Sequence, residues 1–383
     1  MKAILARLQG DKVIWFVVAF LSLFSILAVY SSTGTLAYRF QAGNTEYYLI
    51  KHFIILVFGL LLMYVAHKIK YTYYSRLSQL ALFLAVPLLV FTLFMGTSIN
   101  EANRWLTLPV INITFQSSDF AKLALIMYIA RILTKKQDQI KDFKSAFLPV
   151  ILPVIIVCGL ILPANLSTAV ILFATSMVLM FIGRISLKYI LAMSAIGVFF
   201  LGIFLVILFN SSETGRLYTW KARIERFTDK ENSDTYQSDQ AKIAIATGGV
   251  TGKLPGNSSQ RNFLPQAFSD FIYAIIIEEY GLIGGFVVLM LYLILLFRGV
   301  RIAHRSPGTF GAFLAAGLTF SLVFQAIINM AVTVDLLPVT GQPLPLISMG
   351  GTSLWFTSLA IGIILSVSRK VEEAEQQEGG AYA

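Results

Sequence analysis

The feature that most constrains this chain is a succession of apolar blocks, each about 17 to 25 residues long. A helix rises about 1.5 Å per residue, so one such block crosses a hydrocarbon layer about 30 Å thick. Hydrophobic residues make up 57% of the 383 residues and charged residues only 13%. A water-soluble fold could not bury this much apolar surface, and the sequence therefore predicts an integral membrane protein.

We predict an all-α fold with about ten transmembrane helices, because only helices satisfy their own backbone groups within such segments. The predicted spans are residues 13–32, 48–66, 77–95, 119–133, 147–162, 166–182, 189–209, 271–297, 310–331 and 346–367. Residues 1–368 then form a single membrane domain, with a long loop at 210–270 between helices 7 and 8. The tail at 369–383 is short and acidic, and we expect it to be disordered.

The distribution of lysine and arginine predicts the orientation, because short basic loops stay in the cytoplasm. With both termini inside, most of the basic residues in short segments are cytoplasmic, and the long loop is extracytoplasmic. We therefore expect a multi-pass protein of the bacterial plasma (inner) membrane. The net charge of +10 is explained by this bias and by anionic lipid, so we expect no nucleic-acid partner.

Ionisable side chains within or next to the spans are candidate functional groups, because burying them in lipid is costly. Asp119 and Lys122 are spaced to pair on one helix face, and a purely structural ion pair is the alternative. Asp270 begins the eighth span, where it could instead cap the helix. Glu278 and Glu279 lie about 12 Å deeper than Asp270, too far along to be caps, and face different sides of the helix.

The long loop contains an amphipathic segment with cations beside aromatic residues. Lys221, Arg223 and Arg226 alternate with Trp220 and Phe227, which favours a helix at the membrane surface near headgroups or phosphates. A solvated charged face is the alternative. Further along, the glycine-rich stretch at 248–256 would let the backbone approach a bulky ligand closely.

A segment rich in proline and glycine separates the last two spans, at residues 335–353. Such an irregular segment is tolerated at membrane depth only where protein covers it or where it lines a wet cavity. It therefore predicts a polar substrate cavity, although a tight turn outside the membrane is the alternative. The candidate substrate-binding residues in it are Ser348, Gly350, Gly351 and Ser353.

Several motifs in this order resemble the SEDS family (shape, elongation, division and sporulation) over most of the chain. They are Arg104-Trp105-Leu106, Gln116-Ser117-Ser118-Asp119-Phe120-Ala121-Lys122, Leu166-Ser167-Thr168-Ala169, Tyr236-Gln237-Ser238 with Gln240-Ala241, Asp270-Phe271-Ile272-Tyr273-Ala274, Glu278-Glu279-Tyr280-Gly281, Pro338-Val339-Thr340-Gly341 and Ser348-Met349-Gly350-Gly351-Thr352-Ser353. Each motif alone is weak, but the ordered set is specific. The short tail and Met349 favour the FtsW branch of the family over the RodA branch.

The resemblance implies a peptidoglycan glycosyltransferase that polymerises lipid II and works with a class B penicillin-binding protein and other division or elongation membrane proteins. It implies Asp270 as the essential carboxylate, and an aspartate there could act as general base. Cations are needed on the pyrophosphate leaving group. The resemblance favours Arg104 and Lys122, with Lys221, Arg223 and Arg226 as further local cations.

The same resemblance bears on three further points. Asp119 and Gln240 lie in family motifs, and Glu278 would orient the core. Asn165 stands where the family commonly has an acidic residue, which argues against catalysis at that position. A divalent cation, Mg²⁺ or Mn²⁺, is an alternative source of positive charge, but no set of carboxylate ligands is visible. The competing functions are a lipid II flippase and a non-catalytic division scaffold.

Overall fold

A computed structural model describes residues 9–41, 43–99, 102–108, 113–210, 215–228 and 235–380. Eight of its helical segments are long and apolar enough to cross a membrane. They are α1 (Lys12–Ser32), α3 (Thr45–Lys68), α4 (Tyr71–Met95), a π-helical turn (Phe143–Phe147) that continues into α6 (Leu148–Ile161), α8 (Leu187–Phe209), α11 (Ile272–Arg305), α12 (Thr309–Thr333) and α13 (Gly351–Gly380). The fold is all-α in character and multi-pass, as predicted.

The other two predicted spans are also helices, α5 (Ser117–Lys135) and α7 (Leu166–Ile182). They differ from the eight long apolar helices because α5 carries several charges and α7 is shorter. Three shorter helices complete the described set: α2 (Gly34–Phe40), α9 (Gly215–Thr228) and α10 (Tyr236–Gly248). The helix predicted in the long loop thus exists as α9.

A small antiparallel sheet, which the sequence did not predict, connects α4 to α5. Its strands are β1 (Thr97–Ile99), β2 (Ala102–Leu108) and β3 (Ile113–Gln116), in the order β1-β2-β3. Trp105 of β2 is paired with Gln116 of β3, the last residue before α5. The sheet therefore holds the Arg104 segment next to the start of α5.

Polar side chains cap the starts of several spans, among them α1 and α7. The Asp11 carboxylate accepts from the amides of Val13 and Ile14 at the start of α1. The Asn165 side chain accepts from the Thr168 amide, 3.2 Å away, at the start of α7. Asn165 is thus the cap of α7.

The tail that we expect to be disordered is helical up to Gly380 in this structure, because α13 continues through it. Charged side chains along this stretch form ion pairs that favour helix, including Lys370 with Glu373 at 3.2 Å. A contact to another helix adds to them, since Arg305 of α11 bonds Glu375 at 2.7 Å. Composition alone did not reveal this partner.

The glycine-rich stretch after α10 packs against α11. A Cβ on Gly252 would lie 2.3 Å from the Glu279 carbonyl oxygen, and one on Gly281 would lie 2.1 Å from the Val250 carbonyl oxygen. Gly281 has φ of 71° and breaks the helical conformation of α11 there. These glycines were expected to admit a bulky ligand, whereas here they bring two backbone segments together.

Candidate functional site

Asp270 lies just before α11, and its carboxylate does not cap that helix. The N-cap residue is Phe271, which makes no side-chain capping bond. Ser269 Oγ donates to Asp270 Oδ1 at 3.0 Å, and the Asp270 carbonyl accepts from Asn329 Nδ2 at 2.8 Å. The capping alternative is therefore excluded, and the carboxylate is left for other chemistry.

Two arginines from distant parts of the sequence provide positive charge at Asp270. Burial raises the pKa of this carboxyl, while the Ser269 hydroxyl and then the charges of Arg223 and Arg104 lower it in part. Arg223 comes from α9, and Arg104 from β2, where its Nε donates to the Ala164 carbonyl at 2.7 Å. The geometry supplies a carboxyl with a raised pKa beside guanidinium groups.

Gly341 lies beside both the carboxylate and one of these cations. A Cβ at this position would lie 3.5 Å from Asp270 Oδ2 and 3.9 Å from Arg223 Nη2. Gly341 has φ of 68°, a conformation that favours glycine. A side chain here would be strained and would occupy the space beside both functional groups.

The segment between α12 and α13 is irregular, as predicted, and protein covers much of it. Leu344, Leu346 and Ile347 are each at most 2% exposed. Ser348 Oγ donates to the Ser269 carbonyl at 2.6 Å and accepts from the Leu344 amide at 2.7 Å. Ser348 thus ties this segment to the residue that precedes Asp270.

Two amide side chains of α12 hold the same segment in place. Asn329 Nδ2 donates to the carbonyls of Asp270 and Gln342, at 2.8 and 2.7 Å. Gln325, one turn earlier, donates to the Pro343 carbonyl at 2.9 Å and accepts from Lys122 Nζ at 3.1 Å. Sequence reasoning missed both residues, although two amides four residues apart within an apolar span were an available signal.

Asp119 and Lys122 form the predicted ion pair, with 2.8 Å between Asp119 Oδ1 and Lys122 Nζ. Both side chains line a small cavity together with Gln325 and Ser353. The second carboxylate oxygen, Asp119 Oδ2, is buried without a hydrogen-bond partner. The pair is therefore connected to the Asp270 region through Gln325 and the irregular segment.

Apart from Ser258, which bonds both, Glu278 and Glu279 have different partners, as the helix geometry predicted, and neither bonds Asp270. Glu278 bonds Lys253 Nζ at 2.7 Å, the Ser259 amide at 3.1 Å and the Ser258 hydroxyl. Glu279 accepts from the Ser31 hydroxyl of α1 and from the Ser258 amide. The two glutamates thus anchor the loop before Asp270 to α11 and α1.

The remaining candidates are distributed around this region. Lys221 in α9 lies 3.9 Å from Glu225, and Gln240 is half-buried in α10. Gly350 and Gly351 lie at the start of α13, and the following Thr352 hydroxyl accepts from the Gln116 amide at 3.1 Å. Among described residues, no group of three or more His, Cys, Asp or Glu side chains could hold a metal ion.

A family model described as "Cell cycle protein" and covering FtsW, RodA and SpoVE matches residues 11–373. The chain belongs to the FtsW/RodA/SpoVE family. The predicted family resemblance is confirmed.

Similar members of the FtsW/RodA/SpoVE family include proteins named as a probable peptidoglycan glycosyltransferase and as a sporulation protein. A probable peptidoglycan glycosyltransferase FtsW of Trichlorobacter lovleyi is 35% identical, over 94% of this chain and 93% of that protein. Stage V sporulation protein E of Bacillus subtilis is 30% identical, over 95% and 98% of the two chains. The similarity thus extends over nearly the full length of each relative.

Solved structures of two kinds share this FtsW/RodA/SpoVE fold. One, described as showing structural coordination of polymerization and crosslinking by a peptidoglycan synthase complex, superposes with a TM-score of 0.75 at 22% identity, over 94% and 98% of the chains. RodA of Thermus thermophilus superposes with a TM-score of 0.67 at 23% identity, over 94% and 97%. At these identities the likeness establishes the fold.

Proposed function

We propose that this protein is a peptidoglycan glycosyltransferase of the FtsW branch that polymerises lipid II, with Asp270 as the general base. The observation that carries the proposal is the Asp270 carboxylate, which caps no helix. Burial raises its pKa, and the charges of Arg223 and Arg104 lower that pKa in part. Relatives that are similar along nearly the whole chain are named as probable peptidoglycan glycosyltransferases, which supports the same reaction.

The reaction requires one proton transfer and one displacement. A sugar hydroxyl of the acceptor attacks the anomeric carbon of the donor, and Asp270 takes the hydroxyl proton as the new glycosidic bond forms. The bond from the anomeric carbon to the lipid pyrophosphate breaks in the same displacement, which inverts that centre. Arg223 and Arg104 would stabilise the charge that develops on the leaving group.

The other polar residues have supporting roles in this proposal. Lys122, paired with Asp119, would bind an anionic part of the substrate in the small cavity near Ser353. Lys221 would provide charge from α9, beside Arg223. The charged groups that act on Asp270 are guanidinium groups and not further carboxylates. This set of side chains does not fit a carboxylate-bound divalent cation, and the proposed reaction includes no step through a metal.

The proposed partner is a class B penicillin-binding protein with transpeptidase activity, alongside other membrane proteins of division. A solved structure with this fold is described as a synthase complex that coordinates polymerization and crosslinking, which supports such a partnership. A polymerase makes glycan strands that a transpeptidase must crosslink, so joining the two would couple their reactions. Lipid II itself would reach Asp270 from the extracytoplasmic leaflet.

The decisive experiment is the polymerisation of labelled lipid II by the purified protein with its transpeptidase partner, resolved on a gel. Asp270→Asn keeps the shape of the side chain but cannot accept the proton, so we expect activity to fall by about 100-fold or more. The matched control is Glu225→Gln, which removes a 41% exposed carboxylate from the neighbouring helix α9. It should polymerise lipid II like the unmodified protein.

Three outcomes are distinguishable in this assay. Loss of polymer with Asp270→Asn, at unchanged partner binding and elution from size exclusion, supports the assignment. Polymer formed equally well by both variants would remove Asp270 as the base. Transport of lipid II across vesicles without polymerisation by the unmodified protein would favour the flippase alternative.

A further inference from the structure

A second polar cavity lies at the opposite end of the molecule from Asp270. Its volume is about 250 Å³, and it is lined by residues 10–13 at the start of α1, the last turns of α11 and residues 368–375 of α13. Four cations line it: Lys12, Arg298, Arg301 and Arg305. Nothing in the proposed polymerisation reaction uses these residues.

Half of this positive charge is already neutralised by contacts within the protein. Arg298 Nε donates to Asp11 Oδ2 at 2.6 Å, and Arg305 is paired with Glu375 at 2.7 Å. The third carboxylate of the lining, Glu372, accepts from the Gly10 amide at 2.8 Å. Among these contacts neither Lys12 nor Arg301 bonds to a carboxylate, and both side chains are exposed.

The cavity lies at the depth expected for phospholipid headgroups. After its break at Gly281, α11 continues as helix over residues 282–305, about 36 Å, which exceeds the hydrocarbon layer of about 30 Å. Arg298, Arg301 and Arg305 occupy the last turns of this part of α11, at its charged end. This position falls in the headgroup layer of the opposite leaflet, where basic pockets bind anionic headgroups.

An apolar strip leads from the cavity along α1 into the hydrocarbon region. Val13 lines the cavity and is 37% exposed, while Phe16 and Phe20 follow on the same helix face, 57% and 38% exposed. The two phenyl rings lie 4.3 Å apart and form a continuous surface. An acyl chain attached to a headgroup in the cavity could pack along this strip.

We infer that this cavity is a binding site for a phospholipid with a single negative charge, such as phosphatidylglycerol. Lys12 and Arg301 bind the phosphodiester, and the acyl chain lies along Val13, Phe16 and Phe20. The three carboxylates of the lining repel a more highly charged anion, which selects a monoanion over a polyphosphate. In the orientation proposed above, the site faces the inner leaflet.

The test measures lipid binding to the delipidated, purified full-length protein. Native mass spectrometry counts bound molecules of phosphatidylglycerol, phosphatidylcholine or inorganic phosphate across a titration. We expect Lys12→Gln combined with Arg301→Gln to weaken phosphatidylglycerol binding by about 10- to 30-fold, because each cation near an anionic surface contributes about 5-fold or somewhat less and the two factors multiply. Phosphatidylcholine should bind weakly to both proteins.

The matched control is Lys70→Gln combined with Arg76→Gln, which removes two exposed cations from α4 and the residue before it, outside the cavity lining. It should bind phosphatidylglycerol like the unmodified protein. Phe16→Ser should weaken phosphatidylglycerol binding without changing that of inorganic phosphate.

If the control pair weakened phosphatidylglycerol binding equally, the effect would come from general surface charge, and the proposed site would be wrong. Tight binding of inorganic phosphate at the same residues would indicate a free-anion site and overturn the lipid assignment. The single variants Lys12→Gln and Arg301→Gln provide the same test should the double variant elute as aggregate. None of these outcomes depends on polymerase activity.

Discussion

At the scale of single residues, the candidate site is defined by how one carboxyl interacts with two guanidinium groups. Burial raises the pKa of Asp270, and the charges of Arg223 and Arg104 act in the opposite direction. A base must be ionised to accept a proton, so these cations extend its working range towards lower pH. Arg223 would thus serve both the base and the developing leaving-group charge.

Replacement of Arg223 tests this electrostatic role. In Arg223→Gln the cation no longer favours the ionised carboxylate, so the pKa of Asp270 rises. We expect the acidic limb of the pH–rate profile to move to higher pH, and the maximal rate to fall by about 10-fold or more. Polymerisation of lipid II measured across pH checks both effects.

Arg226→Gln is the control for that experiment. The charge of Arg226 acts on the pKa of Arg223, whereas the charges that act on the pKa of Asp270 are those of Arg223 and Arg104. The acidic limb of this variant should stay close to that of the unmodified protein. An unchanged profile in Arg223→Gln would mean that this guanidinium does not act on the base.

At the scale of elements, α12 acts as a scaffold for the irregular segment that follows it. Its Gln325 and Asn329 lie on one face and bond three backbone carbonyls, those of Asp270, Gln342 and Pro343. Gln342, only 3% exposed, also donates to Thr168 of α7 at 2.7 Å. Buried amides of this kind fix an otherwise unpaired backbone, because an unbonded buried carbonyl costs about 1 to 3 kcal/mol.

Asn329 is therefore a positioning residue rather than a catalytic one, and its variants separate these roles. Asn329→Asp keeps the size of the side chain but loses the Nδ2 donor. Asn329→Ala loses both the donor and most of the side-chain volume. We expect both variants to lower kcat by about 10-fold or more with little change in KM, because the Asp270 backbone is displaced. Steady-state polymerisation kinetics measure the split.

If Asn329 only filled space, the two variants would differ in activity. In that case Asn329→Asp would retain full activity and Asn329→Ala alone would lose it. Thr333→Val serves as the control, since the Thr333 hydroxyl bonds the Asn329 carbonyl within α12 and does not touch Asp270. It should leave kcat near that of the unmodified protein.

At the scale of the whole molecule, the two ends of the bundle differ in chemistry. Asp11, Arg298 and the tail of α13 meet at one end, so the start of α1 and the tail of α13 lie together. Arg369 donates to the Lys68 carbonyl at the same end. Asp270, Arg223 and Arg104 lie at the other end, which we propose to be extracytoplasmic because short basic segments are retained inside.

Cysteine labelling checks this orientation in intact cells with a permeable outer barrier. In a Cys158→Ala background, Thr251→Cys at the Asp270 end should react with a membrane-impermeant maleimide. Lys141→Cys, in the connection between α5 and α6, should react only after lysis. The reverse pattern would place Asp270 in the cytoplasm and rule out the proposed reaction.

The sequence by itself determined the spans, the basic bias of their connections and the ordered family motifs. These features are local: a backbone in hydrocarbon must satisfy its own hydrogen bonds, so helices are legible from apolar length. Even the pairing of Asp119 with Lys122 follows from helical spacing.

Only the tertiary structure decided which distant groups meet. Arg223 and Gly341 lie beside Asp270, and Asn329 donates a hydrogen bond to the Asp270 carbonyl. Glu278 forms an ion pair with Lys253. The tertiary structure also extended α13 to Gly380 and formed the small sheet around Arg104. These contacts join residues tens of positions apart, and helix packing rather than local periodicity determines which side chains come within bonding distance.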